Sequence, residues 1–267
     1  MNFIRHFLLA VQFFTRIPIT GALADWVGFS PAMLRASAGH FPGVGVLVGA
    51  VAAGVYGLLA VLLPDSGYTP MVAAVLSTIV TALLTGGFHE DGLADVADAL
   101  GGSYDRARAL EVMKDSRVGA FGAMALSLAL LAKVALIALL GSTDSELLTI
   151  CSALFAAHVV SRTLPLLLIY WLPHVGDTAA SKSKPLADNI SFSSLLVAFL
   201  WCFMALILIL WAQAAIYLIV GCSFALIALL YMHRLFKRRL QGFTGDCLGA
   251  TQQVCEIAFY LGLAVSL

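Results

Sequence analysis

Long apolar segments dominate this chain of 267 residues and restrict the folds open to it. A helix needs about 20 mostly apolar residues to cross the hydrocarbon core of a bilayer. Because backbone polar groups find no water there, spans of this length are helical. Candidate spans lie near 42–63, 70–88, 119–140, 146–171, 193–211, 213–232 and 248–267. The sequence therefore predicts an all-α, polytopic integral membrane helical bundle with about seven transmembrane helices plus interfacial helices.

The composition agrees with a membrane protein and not with an ordinary soluble domain. Hydrophobic residues make up 61% of the chain and charged residues 11%, whereas a soluble domain is about 45–50% apolar and about 25% charged. The formal net charge is zero, so no excess of positive charge indicates a nucleic-acid partner. The five cysteines form no C-x-x-C pair, which favours free thiols over disulfides.

The N-terminal stretch, residues 1–26, imitates a secretory signal peptide, because Arg5 precedes a short apolar run. Gln12, Thr15 and Arg16 interrupt that run. An interrupted apolar run next to basic residues is typical of a helix at the membrane surface. We therefore expect a retained amphipathic or partly inserted helix.

Lys and Arg are distributed unequally between the two sets of loops that seven spans would create. All of them except Lys133 and Arg162 fall in one set, and the opposite loops, 64–69, 141–145 and the turn near Gln213, contain none. By the positive-inside rule the basic set faces the cytoplasm. We expect a single membrane domain, residues 1–267, in a bacterial inner membrane. Its active-site loops would lie on the cytoplasmic side, at 89–118, 172–192 and 233–247.

The segment "GGFHEDGLADVADAL" (86–100) places several carboxylates beside a span. Asp91, Asp95 and Asp98 are spaced i, i+4 and i+7, so they share one face of a helix. Acidic side chains at a bilayer border are costly unless a cation or a basic partner compensates them. Mg²⁺ suits such a face, because it binds a few carboxylate oxygens, retained waters and substrate phosphates. The alternative is a solvated helix end whose aspartates face water.

A second charged segment, "MKDSRVGAFG" (113–122), follows the acidic one. Lys114 and Arg117 flank Asp115, and basic groups beside carboxylates suit a diphosphate partly neutralised by Mg²⁺. A salt-bridged interfacial helix would also explain the pattern. The loop "SKSKPLADN" (181–189) offers Lys182 and Lys184, which would contact phosphates or form a solvated cytoplasmic loop.

Three polar positions lie near or within apolar spans. Asp246 sits in a glycine-rich loop before the last span, where a helix N-terminus favours an anion. The alternative there is a simple helix entry with Asp246 near its cap. Arg162 follows His158 by one turn inside a span, and an arginine within a membrane is a functional hypothesis whose partner we expect to be an acidic loop residue. Lys133 would snorkel to the membrane surface or pair.

Several motifs together resemble the cobalamin synthase family, the adenosylcobinamide-GDP ribazoletransferases. The resemblance runs nearly end to end and is carried by "FFTRIP" (13–18), "HFPGVGVLVG" (40–49), "GGFHEDGLADVADAL" (86–100), "MKDSRVGAFG" (113–122) and "GFTGDCLGA" (242–250). It implies a Mg²⁺-dependent integral membrane enzyme of the last steps of vitamin B12 assembly. Such an enzyme joins adenosylcobinamide-GDP, a corrinoid nucleotide, to α-ribazole or its 5′-phosphate and releases GMP.

The resemblance also implies roles for individual residues. Metal ligands would be Asp91, Asp95 and Asp98, with Asp115 next, and one of Asp98, Asp115 and His89 would accept the proton of the attacking hydroxyl. Substrate-binding residues would be Lys114, Arg117, Arg162, Asp246, Lys182 and Lys184. Asp246 would either contact the ribazole sugar or complete the metal site. The family often has a hydrophobic residue in place of Glu90 and a glutamate in place of Gln253. Expected partners are the two substrates, membrane lipid, and a homo-oligomer or an assembly with other cobalamin-pathway enzymes.

Three other classes of protein share part of this pattern. Phosphotransferases of the CDP-alcohol type carry D-x-x-D-G-x-x-A-R, but this chain reads "DGLADVAD" without that arginine. Prenyltransferases normally have two separate aspartate-rich motifs, and this chain has one. A transporter would place charged residues near the membrane midplane, often in repeated halves, whereas most polar residues here lie on one side.

Overall fold

A computed structural model of the protein describes residues 2–143, 146–176, 189–212 and 215–266. Within these ranges the chain is helical and contains no β-strand, so the predicted all-α class is confirmed. The predicted phosphate contacts Lys182 and Lys184 lie outside the described residues. The helices are α1 (Asn2–Phe14), α2 (Gly21–Val27), α3 (Pro31–Ser37), α4 (Phe41–Leu62), α5 (Thr69–Thr85), α6 (Phe88–Gly102), α7 (Arg106–Val112), α8 (Ala120–Gly141), α9 (Leu147–Thr163), α10 (Leu166–Trp171), α11 (Phe192–Ile209), α12 (Ala215–Arg239) and α13 (Gly245–Val265).

Six helical segments in the described ranges are long and apolar enough to cross a membrane. They are Pro31–Leu62, Ala120–Gly141, Leu147–Trp171, Phe192–Ile209, Ala215–Arg239 and Gly245–Val265. Helices α5 and α6 meet the same condition only as a pair, and the pair is bent by 90°. Counting the pair as one further span gives seven, in agreement with the predicted number.

The bend between α5 and α6 is made by two consecutive glycines. Gly86 and Gly87 have φ angles of +70° and +69°, in the left-handed region where a side chain is unfavourable. Their N–H groups donate to the carbonyls of Leu83 and Ala82, at 3.2 and 2.9 Å, which ends α5. With α5 along the bundle axis, the 90° turn makes α6 run across the ends of its neighbours. Helix α6 therefore does not continue the direction of α5 through the bundle.

Contacts between distant segments show which helix ends lie together. The Arg106 guanidinium Nε donates to the carbonyl of Leu240 at 2.6 Å, and Arg239 Nη2 donates to the carbonyl of Leu100 at 3.1 Å. We call this end, which carries α6, α7 and the first turn of α13, the site end. At the opposite end, Thr149 Oγ1 donates to the carbonyl of Ala212 at 3.2 Å. The basic loops within the described ranges all belong to the site end.

Helices α9 and α13 form the centre of the bundle, while α8 and α11 expose most of their surface. Helix α4 approaches α9 closely at glycines. A Cβ added at Gly45 would lie 2.5 Å from the carbonyl oxygen of His158, and one at Gly49 would lie 2.9 Å from that of Phe155. Small residues allow such backbone contact between membrane helices. The central helices are thereby fixed, and they carry the polar residues beneath the site.

Candidate active site

The acidic residues of α6 lie at the site end, on a helix as predicted. Asp91 is exposed, and Asp95 and Asp98 are half-buried. Burial and the negative charges of Asp91, Asp246 and Asp98 raise the pKa of Asp95 to about 7. Each of these causes disfavours the ionised carboxylate. Asp95 therefore lies within the electrostatic influence of three other carboxylates, those of Asp91, Asp246 and Asp98.

Asp246 joins this group from α13. Helix α13 begins at Gly245, where Thr244 Oγ1 accepts the N–H of Cys247 at 3.4 Å as its N-cap. Gly92 of α6 packs directly on this turn, because a Cβ added to it would lie 2.8 Å from the backbone oxygen of Asp246. The contact brings two acidic segments together that are far apart in the sequence. We call Asp91, Asp95 and Asp246 the acidic cluster.

The acidic cluster has the donor chemistry of a Mg²⁺ site but not a complete coordination sphere. Among the described residues, no three or more His, Cys, Asp or Glu side chains converge closely enough to enclose an ion. Mg²⁺ commonly keeps several waters and binds through one or two carboxylates plus substrate phosphates. A set of two or three carboxylates therefore fits Mg²⁺ with the remaining positions filled by water and substrate.

Asp98 has a structural role that the sequence hypothesis did not include. Its Oδ2 accepts the N–H of Gly119 at 2.7 Å, and its Oδ1 accepts the N–H of Gly122 at 2.8 Å. These donors belong to the first turn of α8, whose N–H groups have no partner within the helix. A carboxylate at a helix N-terminus is also favoured by the helix dipole. Asp98 thus caps α8 and ties it to α6.

The predicted phosphate-binding segment lies in the connection between α7 and α8. Arg117 is exposed, and its guanidinium donates to both carboxylate oxygens of Asp115, with Nε–Oδ1 at 2.9 Å and Nη2–Oδ2 at 2.5 Å. These hydrogen bonds lower the pKa of Asp115 to about 2. Lys114 is exposed on the same segment. Asp115 is therefore paired with the guanidinium of Arg117.

His89, a predicted proton acceptor, faces away from the acidic cluster. Residues two apart on a helix point in nearly opposite directions, and His89 is 1% exposed whereas Asp91 is exposed. Its ring stacks on Phe41 with centroids 5.5 Å apart. Burial, followed by the charge of Arg162, lowers the pKa of His89 well below its usual range. His89 is thus a neutral interior side chain.

Arg162 is buried in α9, and its hydrogen bonds differ from the prediction. We expected an acidic loop residue as its partner. Instead Nη1 contacts the Nδ1 of His158 at 3.0 Å and donates to the His158 carbonyl at 3.1 Å, one turn away in its own helix. The guanidinium also lies 5.9 Å from the centroid of the Phe41 ring. Arg162 is 2% exposed, and these hydrogen bonds both lie within α9.

Sequence reasoning missed a buried ion pair beneath the acidic cluster. The Lys133 Nζ lies 2.6 Å from Glu256 Oε1, and both side chains are almost completely buried. The prediction that Lys133 would snorkel or pair left its partner unnamed, since Glu256 is on another helix. The available signal was the run of polar residues at 252, 253 and 256 inside an apolar span, because polar groups within membrane helices are usually functional.

Comparison with known proteins gives a consistent result along the whole chain. Residues 6–264 match the cobalamin-5-phosphate synthase family. An adenosylcobinamide-GDP ribazoletransferase from Polaromonas sp. strain JS666 is 72% identical over 277 residues, covering 100% of this chain and 98% of that protein. The protein of the same name from Polaromonas naphthalenivorans strain CJ2 is 68% identical, with 100% of both chains covered.

The similarity also extends to more distant bacteria. The adenosylcobinamide-GDP ribazoletransferase of Shewanella piezotolerans is 40% identical over 259 residues, covering 97% of this chain and 94% of that protein. No solved structure matches the chain. The resemblance found in the sequence motifs is confirmed, and the chain belongs to the cobalamin-5-phosphate synthase family.

Proposed function

We propose that this membrane protein is a Mg²⁺-dependent adenosylcobinamide-GDP ribazoletransferase. It joins adenosylcobinamide-GDP to α-ribazole or to its 5′-phosphate and releases GMP. The observation that supports this function best is the identity of 72% over the whole chain to a protein of that name. The chemistry is a displacement at phosphorus, which depends mainly on positioning and on neutralising phosphate charge.

Within this proposal the acidic cluster binds the metal. Asp91 and Asp95 lie one turn apart on α6, and Asp246 approaches them from α13, supported by the backbone contact at Gly92. Mg²⁺, when bound, would neutralise charge on the diphosphate of the corrinoid nucleotide. We leave Asp98 and Asp115 out of this set, because Asp98 caps α8 and Asp115 is paired with Arg117.

Phosphate recognition is assigned to the connection between α7 and α8. Lys114 and Arg117 are exposed there, and a guanidinium can bind a phosphate through two parallel hydrogen bonds. A substrate phosphate would compete with Asp115 for Arg117. The exposed ion pair between Arg117 and Asp115 contributes little to stability, so replacing Asp115 by a substrate phosphate would cost little free energy. Lys182 and Lys184 stay predictions of phosphate contact.

We assign no general base among the three predicted candidates. Asp98 already accepts two backbone N–H groups, Asp115 is held by Arg117, and His89 is buried away from the acidic cluster. Phosphoryl transfer through a loose transition state requires little help from a base. Positioning of the ribazole hydroxyl and the diphosphate would then account for most of the catalysis.

The site end is proposed to face the cytoplasm of a bacterial inner membrane. The support is the distribution of Lys and Arg, which are concentrated in the loops of that end and absent from the described loops of the other. The apolar outer surfaces of α8 and α11 would contact lipid. A homo-oligomer or an assembly with other enzymes of the pathway stays a prediction.

The test is GMP release by the purified protein in detergent, with adenosylcobinamide-GDP and α-ribazole 5′-phosphate, as a function of Mg²⁺ concentration. We expect Asp91→Asn and Asp95→Asn each to lower turnover by about 100-fold or more, the size of effect seen when one group stabilising a transition state is removed. Asp65→Asn, at the opposite end, is the matched control and keeps wild-type turnover.

Two outcomes would contradict the proposal separately. If folded wild-type protein released no GMP under any Mg²⁺ concentration, the assigned reaction would be wrong. If it released GMP and the Asp91→Asn and Asp95→Asn variants did so equally well, the metal assignment alone would be wrong.

A further inference from the structure

The position of α6 decides where the acidic cluster lies. Asp91 and Asp95 are both on this helix, so a displacement of α6 moves two of the three carboxylates together. The glycine bend at its start separates α6 from α5. Its placement on the bundle therefore depends on contacts with α8 and α13.

Glu90 makes one of these contacts and is directly followed by Asp91. The Gln253 amide Nε2 of α13 donates to Glu90 Oε1 at 3.0 Å. The other oxygen of Glu90, Oε2, is buried and has no hydrogen-bond partner among the described residues. Loss of the hydrogen bond from Gln253 would leave both oxygens of this half-buried carboxylate without a described partner, which is energetically costly.

Gln253 is itself fixed by a chain of buried hydrogen bonds. Its Nε2 also donates to Gln252 Oε1 at 2.9 Å, and Gln252 Nε2 donates to Glu256 Oε2 at 2.7 Å and to Ser161 Oγ at 3.0 Å. Glu256 in turn pairs with Lys133 at 2.6 Å. We call this set, Glu90, Lys133, Ser161, Gln252, Gln253 and Glu256, the polar chain.

The polar chain connects four helices through buried side chains that have no bulk water as an alternative hydrogen-bond partner. It joins α6 to α13, α9 and α8, and its members other than Glu90 are almost completely buried. Breaking a hydrogen bond in such a buried network is costly, because it leaves a polar group unpaired away from water. The set therefore fixes the side-chain amide that holds Glu90.

We infer that Glu90 is a positioning residue for the transfer reaction. Its hydrogen bond to Gln253 holds the first turn of α6 on α13, and so holds Asp91 and Asp95 opposite Asp246. The inference rests on the proposed function for its catalytic consequence. Glu90 does not contact the reacting atoms in this assignment, since it faces the interior.

The test compares Glu90→Leu, Glu90→Gln and Gln253→Leu. Glutamine keeps an acceptor oxygen at the same length, so Glu90→Gln should stay within about threefold of wild-type kcat. Glu90→Leu and Gln253→Leu should lower kcat by about tenfold or more, with a smaller change in the KM for adenosylcobinamide-GDP. The double variant Glu90→Leu with Gln253→Leu should be no worse than Gln253→Leu alone, because Gln253→Leu already removes the hydrogen bond to Glu90.

Ser77→Ala provides a matched control. It removes a buried hydrogen bond between two helices, from Ser77 Oγ to the carbonyl of Ala52 at 3.0 Å. These residues belong to α5 and α4 and lie outside the polar chain. We expect unchanged kcat from Ser77→Ala, which separates a loss of positioning from a general loss of packing.

A second measurement reports the position of α6 without any substrate. Hydrogen exchange of the α6 backbone amides should become faster in Glu90→Leu and Gln253→Leu than in Glu90→Gln, while α4 stays protected. This readout separates the inference from the proposed function, which is tested by GMP release from the wild type.

Three results would overturn the inference. Wild-type kcat in folded Glu90→Leu would show that the contact is unnecessary. Additive losses in the double variant would show that the two side chains act independently. Equal losses in Glu90→Gln and Glu90→Leu would show that the charge of Glu90 acts directly instead of its hydrogen bond.

Discussion

At the residue scale, the buried pair Lys133–Glu256 shows how this bundle accommodates charge. Their side chains are 4% and 1% exposed, and the atoms Nζ and Oε1 are 2.6 Å apart. Removing two charges from water is costly, and their attraction compensates only while both are present. Arg162 and Glu90 add a second cation and a second anion nearby, so the interior charge is balanced.

Lys133→Met should therefore destabilise the protein strongly. It leaves Glu256 buried without its cation, at a cost of about 3–5 kcal/mol by analogy with other buried pairs. Adding Glu256→Gln to it should restore part of the loss, because the uncompensated charge is then removed. Thermal unfolding in detergent measures both variants, with exposed Lys237→Met as the control. A Lys133→Met protein as stable as the wild type would contradict a stabilising role of the pair.

The raised pKa of Asp95 predicts a pH dependence of the metal-free protein. Its folded-state pKa is about 7, against an ordinary value of 3.8. Between these values the folded protein holds a proton that the unfolded chain has lost, so stability falls as the pH rises through this range. Asp95→Asn should flatten that fall. Unfolding temperature measured from pH 5 to pH 8, in the presence of EDTA, checks the prediction.

Mg²⁺ should reverse this trend, because protons and metal compete for the same carboxylates. The rise in unfolding temperature on adding Mg²⁺ should be larger at pH 8 than at pH 6, and Ca²⁺ at the same concentration serves as a comparison for ion selectivity. A Mg²⁺ effect that is absent or independent of pH would contradict binding at Asp95.

At the scale of elements, α6 shows which parts of the site local sequence can predict. The spacing of Asp91 and Asp95 correctly indicated a helix with an acidic face, because helical periodicity depends only on neighbouring residues. The unequal distribution of Lys and Arg between the two sets of loops, and the lengths of the spans, can likewise be read from local composition. These properties require no knowledge of how the helices pack.

Contacts between helices could not be predicted in this way. The partners of Asp98 are 21 and 24 residues away, at Gly119 and Gly122, and the spacing of three aspartates looks the same whether one of them caps α8 or binds metal. The approach of Asp246 requires Gly92 to face α13. The polar chain depends likewise on packing among four helices. Only the three-dimensional arrangement distinguishes these roles.

Gly92→Ala tests the contact between α6 and α13. The added Cβ would lie 2.8 Å from the carbonyl oxygen and 3.1 Å from the Cα of Asp246, and backbone atoms cannot rotate away. We expect α6 to shift from α13 and GMP release to fall by about tenfold or more, since misplacement of about 1 Å is costly in catalysis.

Gly102→Ala at the end of the same helix is the control for Gly92→Ala. A Cβ there meets no atom within 4 Å, so the substitution should leave activity unchanged and favour the helix slightly. Wild-type turnover in Gly92→Ala would show that α6 and α13 are farther apart than this structure places them.

At the scale of the whole molecule, the bundle separates charge between its two ends. The acidic cluster lies at the site end, together with Lys114 and Arg117 in the connection between α7 and α8. The described loops of the opposite end contain no Lys or Arg. Both proposed substrates are polar molecules, so an active site at a water-exposed end is chemically reasonable. By the positive-inside rule, the same asymmetry predicts that the site end faces the cytoplasm.

The orientation can be tested with single cysteines at exposed positions of the two ends. Ser66→Cys lies in the loop before α5, and Arg108→Cys lies on α7. A membrane-impermeant maleimide should label Ser66→Cys in intact spheroplasts, and Arg108→Cys only after the inner membrane is permeabilised, because basic loops stay in the cytoplasm. The wild type is the background control, since its five free cysteines are buried or partly buried. The reverse labelling pattern would place the acidic cluster outside the cytoplasm and separate it from a cytoplasmic supply of substrates.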